Sequence, residues 1–203
     1  GCTGNGIVIQ GLGVGGLGVT LDCAGHKIGG NSASGSGVYI SDTSHYAIVK
    51  NCEIYGFNQT NNTAGVFINQ SSSILIENNT LYNNPYGILT DTADKNNITI
   101  SRNRVLNAII AGIHLNGCNS VVSSRVDSNE VYNVCLAGMG PPTYMGGRGI
   151  FLNNSHYSTI SNNRIGYMKG YGIELLSSSA VSIEGNLVYN MTQDAFGAGS
   201  GIF

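Results

Sequence analysis

The chain has 203 residues, with nine Lys and Arg against eleven Asp and Glu, and only 10% of its side chains are charged. That balance excludes a nucleic-acid binder, which needs a basic field to displace the counterions of a polyanion. Hydrophobic residues make up 41% of the chain, but in runs of only a few residues, which excludes a membrane-spanning helix of about 20 apolar residues.

From the N-terminus, Gly6-Ile7-Val8-Ile9 is the first of eight copies of one phrase: Gly, a β-branched aliphatic, any residue, then an aliphatic or Phe. The others begin at Gly37, Gly65, Gly87, Gly112, Gly149, Gly172 and Gly201, in steps of 22 to 37 residues; the copy at Gly87 is imperfect, with Thr90 in the last place. A period of this size marks a repeat architecture. A second phrase falls between them: aliphatic, two residues, Asn, one residue, aliphatic. It is clearest at Ile76–Leu81, Ile100–Val105, Val126–Val131, Ile160–Ile165 and Ile183–Val188. In the two earlier copies His26 and Cys52 stand in the Asn place. Alternation before the Asn has period two and predicts a strand; the break at the Asn predicts a tight turn, and a third short strand follows.

Three short strands per coil predict an all-β fold, a single-stranded right-handed parallel β-helix of about seven coils, stacked at about 4.8 Å. Residues 1–203 form one domain, with an insertion at 132–148. Because the chain starts at Gly1 without Met and stops inside a Gly phrase, it reads as a segment of a longer protein. The interior is predicted to hold Val38, Ile40, Val66, Ile68, Ile113, Leu115, Ile150, Leu152, Ile173 and Leu175 from the first strand, with the aliphatics of the second phrase from the other two. Asn79, Asn103, Asn129, Asn163 and Asn186 are predicted to stack as a ladder, since an amide can serve turn backbone and the next Asn together. Five Cys at irregular spacing (Cys2, Cys23, Cys52, Cys118, Cys135) suggest no disulfide framework and mostly small buried apolar groups; Cys118 and Cys135 could pair if their loops meet.

The Gly-Ile-x-Leu phrases, the Asn phrases and Leu21–Ile28 together resemble the right-handed parallel β-helix repeats of the pectate-lyase-like superfamily. The closest resemblance is to NosD-like, carbohydrate-associated β-helix proteins. It covers nearly the whole chain and is specific for fold, because the matched residues are interior and turn positions. It implies a location outside the cytoplasm: extracellular, cell-surface or periplasmic.

Function is then sought outside the solenoid. The middle residue of each Gly phrase points outward, giving a column of Val8, Tyr39, Phe67, Leu89, His114, Phe151 and Glu174. Rings in register suit sugar rings, whose C–H faces are apolar. Arg148 enters the Phe151 strand from the largest loop, and Asp91 lies one coil before His114. The candidate ligand-binding set is therefore Tyr39, Phe67, Asp91, His114, Arg148, Phe151 and Glu174. His114, Arg148 and Glu174 are the candidates for catalysis, as a base and a carboxylate-neutralising cation. The calcium-binding Asp set, the paired Asp and the lyase-type Arg motif of the superfamily's enzymes are missing.

The favoured reading is a non-catalytic carbohydrate-binding module or rigid adhesin segment, monomeric, with a polysaccharide or surface glycan as partner. The alternatives are a lyase, hydrolase or epimerase acting on uronate-type glycans, and a phage or viral fibre segment assembling as a trimer. No cofactor and no metal site is expected. Copper delivery, which the NosD resemblance implies, would want clustered His, Met or Cys, whereas His26, His45, His114 and His156 fall in different columns.

Overall fold

The computed structural model describes residues 4–10, 18–41, 44–58, 62–91, 97–118, 123–135, 147–192 and 200–203. Most of the 132–148 insertion, including Pro141, Pro142, Tyr144 and Met145, lies outside these residues, as do Cys2 and Met139.

All regular structure among the described residues is β, in three columns of short parallel strands. The first column runs Ile7–Ile9, Val38–Ile40, Ala64–Ile68, Tyr86–Thr90, Ala111–Asn116, Gly147–Asn153, the second half of Arg164–Leu176, and Ser200–Ile202. The second runs from Thr20–Asp22 to Ser182–Glu184, and the third from Lys27–Gly29 to Leu187–Thr192. Arg164–Leu176 passes round the corner without a break, joining the first and third sheets into one. Strands adjacent in space lie one coil apart in sequence, the arrangement of a parallel β-helix. There are about six turns against the seven coils expected; the connection at 11–17, which would close the first, lies outside the described residues.

The predicted interior holds. Val38, Ile40, Val66, Ile68, Ile113, Leu115, Ile150, Leu152 and Ile173 are fully buried, as are Ile76, Ile100, Val126 and Ile160 from the second sheet and Ile54, Leu81, Val105, Val131 and Ile165 from the third. Leu175, Ile183 and Val188, in the last coil, are half-buried. The recurring Gly has a steric cause. A Cβ on Gly112 would lie 2.3 Å from Val131 Cγ1 and 2.7 Å from the Gly149 carbonyl. The third sheet thus packs its aliphatic row onto this bare backbone.

The ladder also forms. The backbone N–H groups of Cys52, Asn79, Asn103, Asn129 and Asn163 each donate to the side-chain oxygen of the next Asn, at 2.9–3.0 Å. Each ladder amide Nδ2 also donates to a carbonyl of the preceding coil, Val49, Ile76, Ile100, Val126 and Ile160 in turn. The residue before each rung takes left-handed backbone at Asn51, Asn78, Arg102, Ser128, Asn162 and Gly185, so the tight turn stands where the alternation breaks.

One expectation is corrected. Cys23 and Cys52 form a disulfide, while Cys118 is a buried thiol and Cys135 a partly buried one, not bonded to each other. The bridge takes over at the end of the Asn column, where His26 supplies no amide. It closes a loop of 29 residues, for which chain entropy gives about 3.6 kcal/mol. The Cys23→Ser/Cys52→Ser double variant is expected to lose that amount in urea denaturation. Faster amide exchange should be confined to the coils around Ile28 and Ile54; uniform loosening along the solenoid would contradict this.

Candidate functional site

The register sets the outward column as expected: Val8 opposite Tyr39, Tyr39 opposite Phe67, Phe67 opposite Leu89, Leu89 opposite His114, His114 opposite Phe151, Phe151 opposite Glu174. A second outward column holds Tyr86, Ala111, Arg148 and Tyr171. A third, on the other side, continues the register through Asn69, Asp91, Asn116 and Asn153.

Exposure changes along the main column. Val8 is 50% exposed, Tyr39, Phe67 and Leu89 are half-buried, and His114, Phe151 and Glu174 are only 7–8% exposed. The column therefore divides into an open stretch and a closed one.

In the open stretch Tyr39 and Phe67 meet edge to face with centroids 5.5 Å apart. The Asn69 amide donates to the Tyr39 hydroxyl at 2.8 Å, tying the carboxamide row to the ring row. Asp91 belongs to that row; its carboxylate accepts the Gln70 N–H at 3.4 Å.

The closed stretch brings His114, Arg148, Phe151 and Glu174 together. Arg148 Nε donates to Glu174 Oε2 in a largely buried ion pair. The guanidinium also lies over the Phe151 ring, 4.5 Å from its centroid. The His114 ring sits between Phe151, at 4.4 Å, and Tyr86, at 5.7 Å. Neither of its buried nitrogens has a hydrogen-bond partner. Burial, helped by the Arg148 charge, pushes the His114 pKa down from 6.5 to about 4. At neutral pH the imidazole is uncharged and lies between two rings, and the Arg148 cation and Glu174 carboxylate pair with each other.

Copper delivery, which the NosD resemblance implies, would need a cluster of donors. Among the described residues no three His, Cys, Asp or Glu side chains come together to hold a metal ion. The expectation that the four His fall in different columns is corrected for one pair: His45 and His156 each stand three residues before register partners of the second sheet, so they share a column, four coils apart. His45 Nδ1 accepts from the Ser72 N–H and His156 Nδ1 contacts Ser179 Oγ, while Met168 is buried in the core.

A sequence model of the family described as "Periplasmic copper-binding protein (NosD)" matches residues 2–201. The chain belongs to the NosD family. No curated protein and no solved structure matches it. The family's description is periplasmic, in agreement with a location outside the cytoplasm, and no helix among the described residues is long and apolar enough to cross a membrane.

Two features of this NosD-family chain escaped the sequence reading. One is a set of serines whose hydroxyls donate to carbonyls of the preceding coil: Ser44 to Ile9, Ser71 to Ser41, Ser155 to Leu115, Ser178 to Leu152. The other is a row of tyrosines on the third sheet, where Tyr55 and Tyr82 stack at 4.9 Å and 4°. Its signal was an aliphatic-Tyr pair after the second phrase, at Ile54-Tyr55, Leu81-Tyr82, Val131-Tyr132 and Val188-Tyr189. On the same sheet Arg104, Glu130 and Arg164 stand in register; Arg104 meets Glu130 at 3.5 Å, and Arg164 Nε donates to the Tyr189 hydroxyl at 3.2 Å.

Proposed function

We propose that this NosD-family chain is a non-catalytic carbohydrate-binding module, working outside the cytoplasm, with the open stretch of the first sheet as its glycan platform. One observation carries this reading: the apolar row Tyr39, Phe67, Leu89 runs beside the carboxamide and carboxylate row Asn69, Asp91 and Asn116. A sugar presents an apolar C–H face and a rim of hydroxyls, and two parallel rows, one of rings and one of hydrogen-bonding groups, match both. Aromatic residues also provide contact area with little conformational freedom to lose.

The closed stretch supports a non-catalytic role. General acid-base work needs a group within reach of a substrate proton. Here Arg148 and Glu174 engage each other and His114 is covered, so these three residues act as packing that fixes the insertion-side end of the column.

On a glycan array the chain is expected to retain a defined subset of polysaccharides without cleaving them. The Tyr39→Ala/Phe67→Ala double variant should bind roughly tenfold or more weakly with an unchanged far-UV circular dichroism spectrum. Unaltered affinity would reject the platform, and unsaturated products absorbing near 235 nm would restore the lyase alternative.

A further inference from the structure

The third sheet carries a second outward column in which Leu106, Tyr132, Gly166 and Tyr189 stand in register. Gly166 leaves a gap in that row, and Tyr189 folds back over it. A Cβ on Gly166 would lie 2.8–3.0 Å from three atoms of the Tyr189 ring. The folded ring is held by its hydroxyl, which accepts from Arg164 Nε at 3.2 Å.

The corner beside this row is occupied in successive coils by Gly56, Asn83, Asn107, Asn133, Tyr167 and Asn190, all with left-handed backbone (φ 52° to 75°). Gly and Asn adopt that conformation readily, whereas a bulky ring there is strained. Tyr167 breaks the pattern. Its ring is 51% exposed and stands edge-on to Tyr189, centroids 5.4 Å apart at 78°. Tyr46 and Tyr157 share left-handed backbone at another corner; what distinguishes Tyr167 is the cleft it walls. Arg104, Leu106, Tyr132, Asn133, Tyr167 and Tyr189 enclose an open cavity of about 440 Å³, within the size range of small-ligand sites. Strain retained where it shapes a cleft points to function.

We propose that this tyrosine cleft is a second glycan site, which takes one acidic pyranose unit. Three rings and Leu106 supply the apolar floor and wall, the Asn133 amide and tyrosine hydroxyls meet sugar hydroxyls, and Arg104 meets a carboxylate. Glu130 beside the cleft pairs with Arg104 at 3.5 Å, but Arg104 and Arg164 flank it on the two adjoining coils, so this row carries a net positive charge, which favours a uronate over a neutral sugar. The site shares with the first-sheet platform only its class of ligand and lies on a different sheet.

The test is titration of the whole chain with hexagalacturonate and with cellohexaose. Binding is read by tyrosine fluorescence, which is unobscured because the chain has eleven Tyr and no Trp. Hexagalacturonate is expected to saturate the wild type at lower concentration than cellohexaose. Tyr167→Asn is expected to weaken it roughly tenfold while keeping or raising the melting temperature, because Asn is the residue four other coils use at this corner. Binding unchanged by Tyr167→Asn overturns the cleft, and equal affinity for both oligosaccharides overturns its preference for acid. The Tyr39→Ala/Phe67→Ala variant separates the two sites. Loss there with Tyr167→Asn unaffected leaves the platform standing and removes the cleft, whereas the reverse leaves the cleft and removes the platform. A wild type that binds neither oligosaccharide overturns the cleft.

Discussion

Asn129→Ala is expected to destabilise the chain by about 4 kcal/mol, which is a large share of the roughly 5–15 kcal/mol that holds a domain folded. The Asn129 side chain serves two neighbours. Its oxygen accepts the Asn103 backbone N–H at 2.9 Å and the Asn103 amide at 3.1 Å. Its nitrogen donates to the Ile100 carbonyl, the Asp127 carbonyl and Asn163 Oδ1. Asn103 and Asn129 are each 1% exposed, so water has no ready route to the groups that alanine would leave. An orphaned buried donor or acceptor costs about 1–3 kcal/mol each, and the Asn103 N–H and Ile100 carbonyl both lose their side-chain partner. Asn186 is the contrasting case. It is half-buried, its oxygen accepting the Asn163 N–H and its nitrogen donating to the Ile160 carbonyl, so water reaches the groups alanine would leave and Asn186→Ala should lose about half as much. Urea denaturation with an unchanged slope reads the difference as stability. A loss under about 1 kcal/mol at Asn129 would mean that the turn is satisfied without its amide.

How much of this was legible depends on whether one coil was enough to decide it. The strand columns, the interior and the ladder were readable because each coil repeats the same demand: a bare Gly under the third-sheet aliphatic, and an amide at the buried turn. Features that join different phases of the repeat were not readable. The register sets Asp22 opposite Lys50, which puts Cys23 opposite Asn51 rather than Cys52; a bridge offset by one position is invisible to a search for equivalent letters. The direction of the outward column was correct, but not its exposure. Val8 and Glu174 occupy the same place in the phrase and differ from half exposed to buried, because burial depends on the size of side chains in adjoining columns, such as Tyr86, Arg148 and Tyr171. For the same reason Arg148 and Glu174, placed on one face by sequence, proved to be partners of each other.

The stability of the folded chain is expected to fall by about 3 kcal/mol between pH 7 and pH 4, and His114→Phe is expected to abolish that part of the profile. An ordinary histidine takes up its proton near 6.5, whereas burial, with Arg148 beside it, holds His114 back to about 4. Between those values the unfolded chain binds a proton that the folded chain refuses, so acid favours unfolding. Each pH unit of that difference is worth about 1.36 kcal/mol, which gives roughly 3 kcal/mol once the pH has dropped through the window. Below pH 4 both states are protonated and this contribution stops growing. Asp127 acts in a separate range. Burial raises its pKa, but hydrogen bonds from Ser161, Asn162, Arg125 and Ser128 outweigh that and hold it at about 2, so its share is lost only as pH falls below the ordinary carboxylate range. The variant is chosen for its surroundings. His114 lies between the Tyr86 and Phe151 rings with both nitrogens unpartnered; Phe has a somewhat larger ring but no groups to desolvate, so the gain offsets the tighter packing and the variant should stay close to wild-type stability at pH 7. Parallel loss of stability in wild type and His114→Phe from pH 7 to 4 would show that the imidazole reaches water in the folded chain, and that the closed stretch of the first sheet is open.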